Sequence, residues 1–123
     1  MLKVIIVGFG GFLGSILRYL IYLFSNNILG SQYPFSTIII NVLGCFLIGV
    51  IFQVFNEAIT ISENLKLFLT IGFLGGFTTF STFSIDAFLI YQNNSKLAAM
   101  CYILLTLFLS LSAMLIGMMT FKS

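Results

Sequence analysis

Histidine and tryptophan are both absent from the 123 residues of this chain, and charge is scarce, with five basic and three acidic side chains. Without histidine there is no imidazole to carry a proton or hold a metal, so histidine acid–base chemistry and His-ligated metal centres are excluded. A water-soluble domain carries about 25% charged residues. At 7% charged, 60% hydrophobic and a mean hydropathy of +1.19, this chain reads instead as an integral membrane protein. Cysteine is also sparse. Cys45 and Cys101 each fall inside apolar sequence, form no Cys-x-x-Cys pair and read as small buried hydrophobes. The carboxylates Glu57 and Glu63 stand in polar connectors, belong to no nucleophile–base constellation and read as solvated, so no enzyme is expected.

Apolar runs of the roughly 20 residues that a bilayer requires occur four times, at about 2–24, 35–55, 65–91 and 97–121. The connectors Ser25 to Pro34, Asn56 to Asn64 and Gln92 to Lys96 are short, so 1–123 is expected to be one four-helix transmembrane domain. The first run is too long for a signal peptide and no small-residue cleavage site follows it. Four spans place Lys3, Lys66 and Lys122 at one face and Lys96 at the other, with Arg18 inside the first span. Orientation follows such asymmetry, and here it is weak. The chain is therefore expected to insert both ways and to form an antiparallel, dual-topology dimer. Four short helices also enclose little volume, which favours an oligomer for any transport role.

Within these spans the polar residues are concentrated. The third contains Gly72-Phe73-Leu74-Gly75-Gly76-Phe77-Thr78-Thr79-Phe80-Ser81-Thr82-Phe83-Ser84. Each glycine lowers helix propensity by about 1 kcal/mol, and hydroxyls can satisfy backbone groups that an interruption frees. Irregular backbone at membrane depth is tolerated only inside protein or along a watery cavity, and broken helices form ion sites in transport proteins. The third helix is thus expected to break at the midplane of an ion-handling protein. Phe80 and Phe83, three residues apart, share one side of the resumed helix, and their positive ring edges suit a small hard anion. Ordinary packing is the plainer use of such a pair. Asp86 is the one acid within a span.

In the first span Gly10/Gly14 and Gly11/Ser15 provide close-approach spacing for another helix. Arg18 follows, with two readings: snorkelling to the interface, or attracting an anion at a vestibule. In the second span Thr37, Asn41 and Gly44 lie on one helical face, whereas Gly49 falls off it as a packing glycine. Asn41 reads either as interhelical glue or as an amide presented to a passing anion. In the fourth, Tyr102, Thr106 and Ser110 make a hydroxyl stripe, one turn apart.

Taken together these residues resemble the Fluc (CrcB) family of fluoride channels over essentially the whole chain. The glycine-rich first span ending Arg18-Tyr19 is similar to that family's GGxxGxxxRY pattern, and Ser36 to Gly44 to its GTLxVNxxG segment. Gly72 to Ser84 follows its GFxGGxTTFSTFS signature nearly letter for letter. The departures are Ser36 for the usual glycine, Cys45 where serine is common, and Asp86 where glutamate is usual. The resemblance implies an antiparallel homodimer, or a heterodimer with a paired homologue, enclosing two pores that conduct fluoride passively out of the cytoplasm. It implies an anion pathway of Asn41, Phe80, Ser81, Thr82, Phe83, Tyr102 and Ser110, with Arg18 as a vestibule arginine. It also implies a structural Na⁺ on the dimer axis, held by the backbone carbonyls of Gly75 and Thr78. Two rivals fare worse. A four-helix drug/proton antiporter needs a carboxylate in the first span, where this chain carries Arg18. An assembly subunit without transport leaves the hydroxyl stripes, Asn41 and Arg18 unexplained.

Overall fold

The computed structural model describes residues 1–58 and 60–122, and every regular element among them is helical. Helices α1 (Leu2–Leu29) and α2 (Phe35–Glu57) form the first two spans. The third comprises α3 (Glu63–Leu67), a π-helical turn-and-a-half (Phe68–Leu74), α4 (Gly75–Phe77) and α5 (Phe80–Asn93), and the fourth is α6 (Lys96–Thr120). All four spans are long and apolar enough to cross a membrane.

The first helix outruns its apolar stretch. Ser25, Asn26 and Asn27 were expected to open a connector, yet the helix continues to Leu29. Apolar content sets the width of hydrocarbon a segment can occupy, but the helix stops only where backbone geometry stops it. That point is Gly30, at φ 79°, a left-handed conformation that glycine adopts without steric cost. The later starts are set by hydroxyl caps: Ser62, Thr79 and Ser95 accept from the amides of Leu65, Thr82 and Ala98.

Two helix pairs pack most closely, and glycine permits both. The first half of span three lies on α1. A Cβ built on Gly14 would stand 2.0 Å from the Phe73 carbonyl oxygen, and one on Gly76 would stand 2.6 Å from that of Gly11. The sequence's small-residue spacing in α1 is therefore answered by small residues across the contact. The second pair is α2 with α6, where Gly49 meets the Met114 carbonyl and Gly117 that of Phe46. Between the pairs lies a core of Ile40, Leu74 and Phe77, and α5 adds Phe83 and Ala87 against Tyr102. Lys3 pairs with Glu63 at 2.9 Å, so the beginnings of the first and third spans lie at the same end of the bundle. Outward faces are apolar, with Phe12, Leu20, Leu104 and Phe108 all exposed, as lipid contact requires.

Candidate functional site

Between α4 and α5 the backbone leaves the helix. Thr78 (φ −78°, ψ 158°) and Thr79 (φ −148°, ψ 116°) are both extended. Thr78 closes the incoming ladder: its amide and its hydroxyl both donate to the Leu74 carbonyl, each at 2.9 Å. The next amide, that of Thr79, would reach the Gly75 carbonyl if the helix continued. It donates instead to Asn41 Oδ1 at 2.8 Å, while Asn41 Nδ2 donates to the Thr79 carbonyl at 2.9 Å. One side-chain amide thus satisfies both polar groups of one backbone residue, as a neighbouring strand would. Thr79 is buried, so these groups cost about 1–3 kcal/mol each if left unpaired. Asn41 is interhelical glue, and one of its two Nδ2 hydrogens is not used by these bonds.

Arg18 is half-buried and directed at the same backbone, its Nη1 donating to the Thr78 carbonyl at 3.2 Å. A cation here sits where the carbonyl end of the incoming helix dipole concentrates negative charge. Beyond the opening, Thr79 Oγ1 accepts from the Thr82 amide, donates to Thr82 Oγ1 at 3.0 Å and lies 3.4 Å from Ser81 Oγ. Ser81 and Thr82 therefore gather around the cap of α5.

Alongside this backbone runs a groove of about 390 Å³, lined in part by Asn41, Gly75, Thr78, Thr79, Phe80, Phe83, Thr106 and Ser110. Ser81, Thr82, Tyr102 and Arg18 are not among its lining residues. Gly44 also lines it, and a Cβ there would stand 2.2 Å from Thr78 Cγ2. Hydroxyls in a membrane helix commonly bond a carbonyl of the preceding turn, and Thr70, Ser84 and Thr120 do so in this chain. Thr106 Oγ1 and Ser110 Oγ do not. Both oxygens are buried and make no hydrogen bond to nitrogen or oxygen among the described residues; the Cys45 thiol, a weak acceptor, is the polar group beside Ser110. Two hydroxyls without a strong acceptor therefore border the groove.

The aromatic wall is a ladder. The Phe83 ring lies 5.5 Å from that of Phe80 and 5.5 Å from that of Tyr102. Phe83 is buried, whereas Phe80 is 75% exposed and projects off the chain. Tyr102 backs the wall and donates to Asp86 Oδ2 at 3.4 Å, an oxygen that Thr37 also reaches at 2.6 Å. Asp86 thereby gains two hydroxyl donors at the edge of a separate polar pocket of about 320 Å³.

Among the groove residues, Thr79 and Thr106 were not selected as pathway residues from the sequence. For Thr106 the signal existed, since it is the middle member of the Tyr102–Thr106–Ser110 stripe. For Thr79 it did not: which threonine caps the resumed helix depends on where α2 places Asn41.

An opened third span, buried hydroxyl donors, phenylalanine rings and a nearby guanidinium define a small multi-pass membrane protein whose interior offers hydrogen-bond donors and positive ring edges. Residues 5–118 match the family model described as CrcB-like protein, Camphor Resistance (CrcB), and the chain belongs to that family. Curated relatives named fluoride-specific ion channel FluC are similar along nearly their full length. The protein from Rhizobium johnstonii is 39% identical over 100% of this chain and 98% of its own. That from Clostridium perfringens is 44% identical over 95% and 91%, and that from Ruminiclostridium cellulolyticum 40% identical over 100% and 95%.

Proposed function

We propose that this protein is a fluoride-selective channel that releases the ion passively from the cytoplasm through two pores between antiparallel copies of the chain. The observation that carries the reading is the pair of buried hydroxyls, Thr106 Oγ1 and Ser110 Oγ, without a strong acceptor beside a groove walled by Phe80 and Phe83. Fluoride is small and strongly hydrated, so a pore must replace its water with several donors at once. Unpaired hydroxyls are costly while the groove is empty of acceptors, and an anion removes that cost. The second Nδ2 hydrogen of Asn41 adds a further donor, and ring edges offer positive charge without the strong binding that would trap the ion. Ser81, Thr82 and Tyr102 complete the pathway from either side of the opening. Arg18, bonded to the Thr78 carbonyl, contributes its field. The names of the relatives point to the same ion.

A second copy of the chain is supported by what one copy leaves uncovered: the exposed Phe80 ring and the exposed Gly75 backbone beside the groove. Lysines at both ends, three against one, favour neither orientation strongly. A paired homologue is the other occupant that this surface admits.

For the structural Na⁺ the donor set fits. Gly75 is exposed and its carbonyl has lost the Thr79 amide to Asn41, while the Thr78 carbonyl is half-buried. Hard carbonyl oxygens suit a hard cation. Thr78 also accepts from Arg18, so its second lone pair is the one available, and the Arg18 charge weakens the site. The ion would supply positive charge between the two pathways.

The deciding experiment is efflux from liposomes that contain only this purified protein. Fluoride should leave far faster than chloride, and equal rates would overturn the reading.

A further inference from the structure

A second cleft, of about 300 Å³, is lined by Ile48, Phe52, Phe55, Asn56, Lys66 and Thr70. Two of these, Ile48 and Thr70, also line the groove that holds Asn41, Thr106 and Ser110. The cleft therefore shares a wall with that groove and lies toward the end of the bundle where α2 finishes and the third span begins. Lys66 stands in this cleft, and its ammonium lies over the Phe55 ring, 5.6 Å from the centroid. A cation–π contact of this kind holds a flexible lysine in one region while leaving the charge solvated.

Of the other charges at this end, Lys122 and the N-terminal amine do not line the cleft. Lys3 and Glu63 pair with each other at 2.9 Å, and both are exposed. Glu57 accepts the Gln53 amide at 2.6 Å and does not line the cleft. Among the described residues Lys66 is the one charged side chain that does. One turn further along, Thr70 carries the path inward through the π-helical segment, where its hydroxyl bonds the Lys66 carbonyl at 2.7 Å.

We infer that Lys66 is the entry residue of the anion pathway, raising the local concentration of the permeant anion at the mouth of the cleft that feeds the Asn41 groove. This rests on the channel reading above. A charge in a cleft with low-dielectric walls concentrates counter-ions and speeds their entry. In water, a unit charge about 10 Å from an ion changes its local concentration about twofold, so neutralisation should cost about twofold and reversal about fourfold. The effect belongs to low salt, because the screening length falls from about 30 Å at 0.01 M to about 3 Å at 1 M.

The experiment is fluoride flux at low fluoride in reconstituted protein, at low and at high concentrations of an impermeant salt. Lys66→Arg should match wild type. Lys66→Gln should be slower by about twofold at low salt, and the deficit should vanish at high salt. Lysine substitutions also bias membrane insertion, so Lys66→Cys is prepared in parallel and modified after reconstitution with cationic or anionic methanethiosulfonate reagents of similar size. Wild type treated alike controls for Cys45 and Cys101. The cationic adduct should conduct about fourfold faster than the anionic one at low salt, since the two differ by a charge reversal. Equal rates for the two adducts, or a Lys66→Gln deficit that persists at high salt, would overturn the entry role and leave the channel reading standing. If wild-type protein passes no fluoride, both fall together.

Discussion

Asn41 offers the sharpest test of how the opened backbone is held. Its amide makes two bonds to Thr79, 2.8 Å from the backbone N–H and 2.9 Å to the carbonyl. Asn41→Leu keeps a side chain of similar size and removes both. Each stranded group costs about 1–3 kcal/mol, so the folded state should lose about 2–6 kcal/mol, unless Thr79 swings back to the Gly75 carbonyl and closes the helix. Either outcome removes the geometry that presents Thr79, Phe80 and the groove, and flux should fail. Asn41→Asp separates the two roles. A carboxylate still accepts from the Thr79 amide and loses only the donor side, for a stability cost of about 1–3 kcal/mol. A negative charge beside an anion at about 4 Å, with effective dielectric constant about 20, raises its energy by about 4 kcal/mol. That corresponds to a flux about 10³-fold lower. Stability is read by reversible unfolding in mixed micelles followed by circular dichroism, and flux by efflux from liposomes. An Asn41→Leu protein as stable as wild type and conducting at the wild-type rate would refute the clamp. An Asn41→Asp protein conducting at the wild-type rate at neutral pH would remove Asn41 from the pathway.

Phe83→Ile should lose about 0.5–1.5 kcal/mol of ring stacking against Phe80 and Tyr102, and Phe80→Ile nearly nothing in the isolated chain, yet both should reduce fluoride efflux at least tenfold; unchanged efflux in both would reassign the rings to packing. Gly14→Ala places a methyl 2.0 Å from the Phe73 carbonyl, backbone that cannot swing aside, and should cost about 1–3 kcal/mol in the same unfolding titration; wild-type stability would show that α1 and the third span are not in such close contact. Replacing Na⁺ by a bulky organic cation throughout purification should weaken the dimer and slow the flux, and if neither changes the sodium assignment is wrong. Cysteine labelling near Lys122 should find the C-terminus on both sides of the membrane, whereas one-sided labelling would favour an oppositely oriented partner.

Much of this architecture was legible because apolar length alone marks a span: all four were placed from composition, and only their ends moved. The end of α1 shifted because the bilayer reads hydropathy while the helix reads backbone geometry, and Gly30 rather than Ser25 supplies the stop. Facing residues were legible where period and chemistry agree, as with Thr37, Asn41 and Gly44, which respectively meet Asp86, Thr79 and the Thr78 methyl. What could not be read is which polar groups end with partners. Ser81 and Thr82 carry conspicuous hydroxyls in the linear sequence, and both are gathered around Thr79 Oγ1 at the cap of α5. Thr106, less conspicuous, is left with its donor unused. That difference depends on side-chain positions across three helices, which no spacing rule contains.

The two side chains that hold the opened backbone, Arg18 and Asn41, both precede it along the chain. As the polypeptide emerges from the ribosome, α1 and α2 are made before Gly72 to Ser84. The partners of that segment's freed carbonyl and amide groups are therefore available to it from the moment it is made. Had those partners lain in α6, the segment would have crossed with exposed peptide groups in hydrocarbon, or as a straight helix needing to be broken afterwards. The order of elements along the chain is thus an order of synthesis, in which the opened segment follows the half that holds it and α6, which borders the groove, comes last.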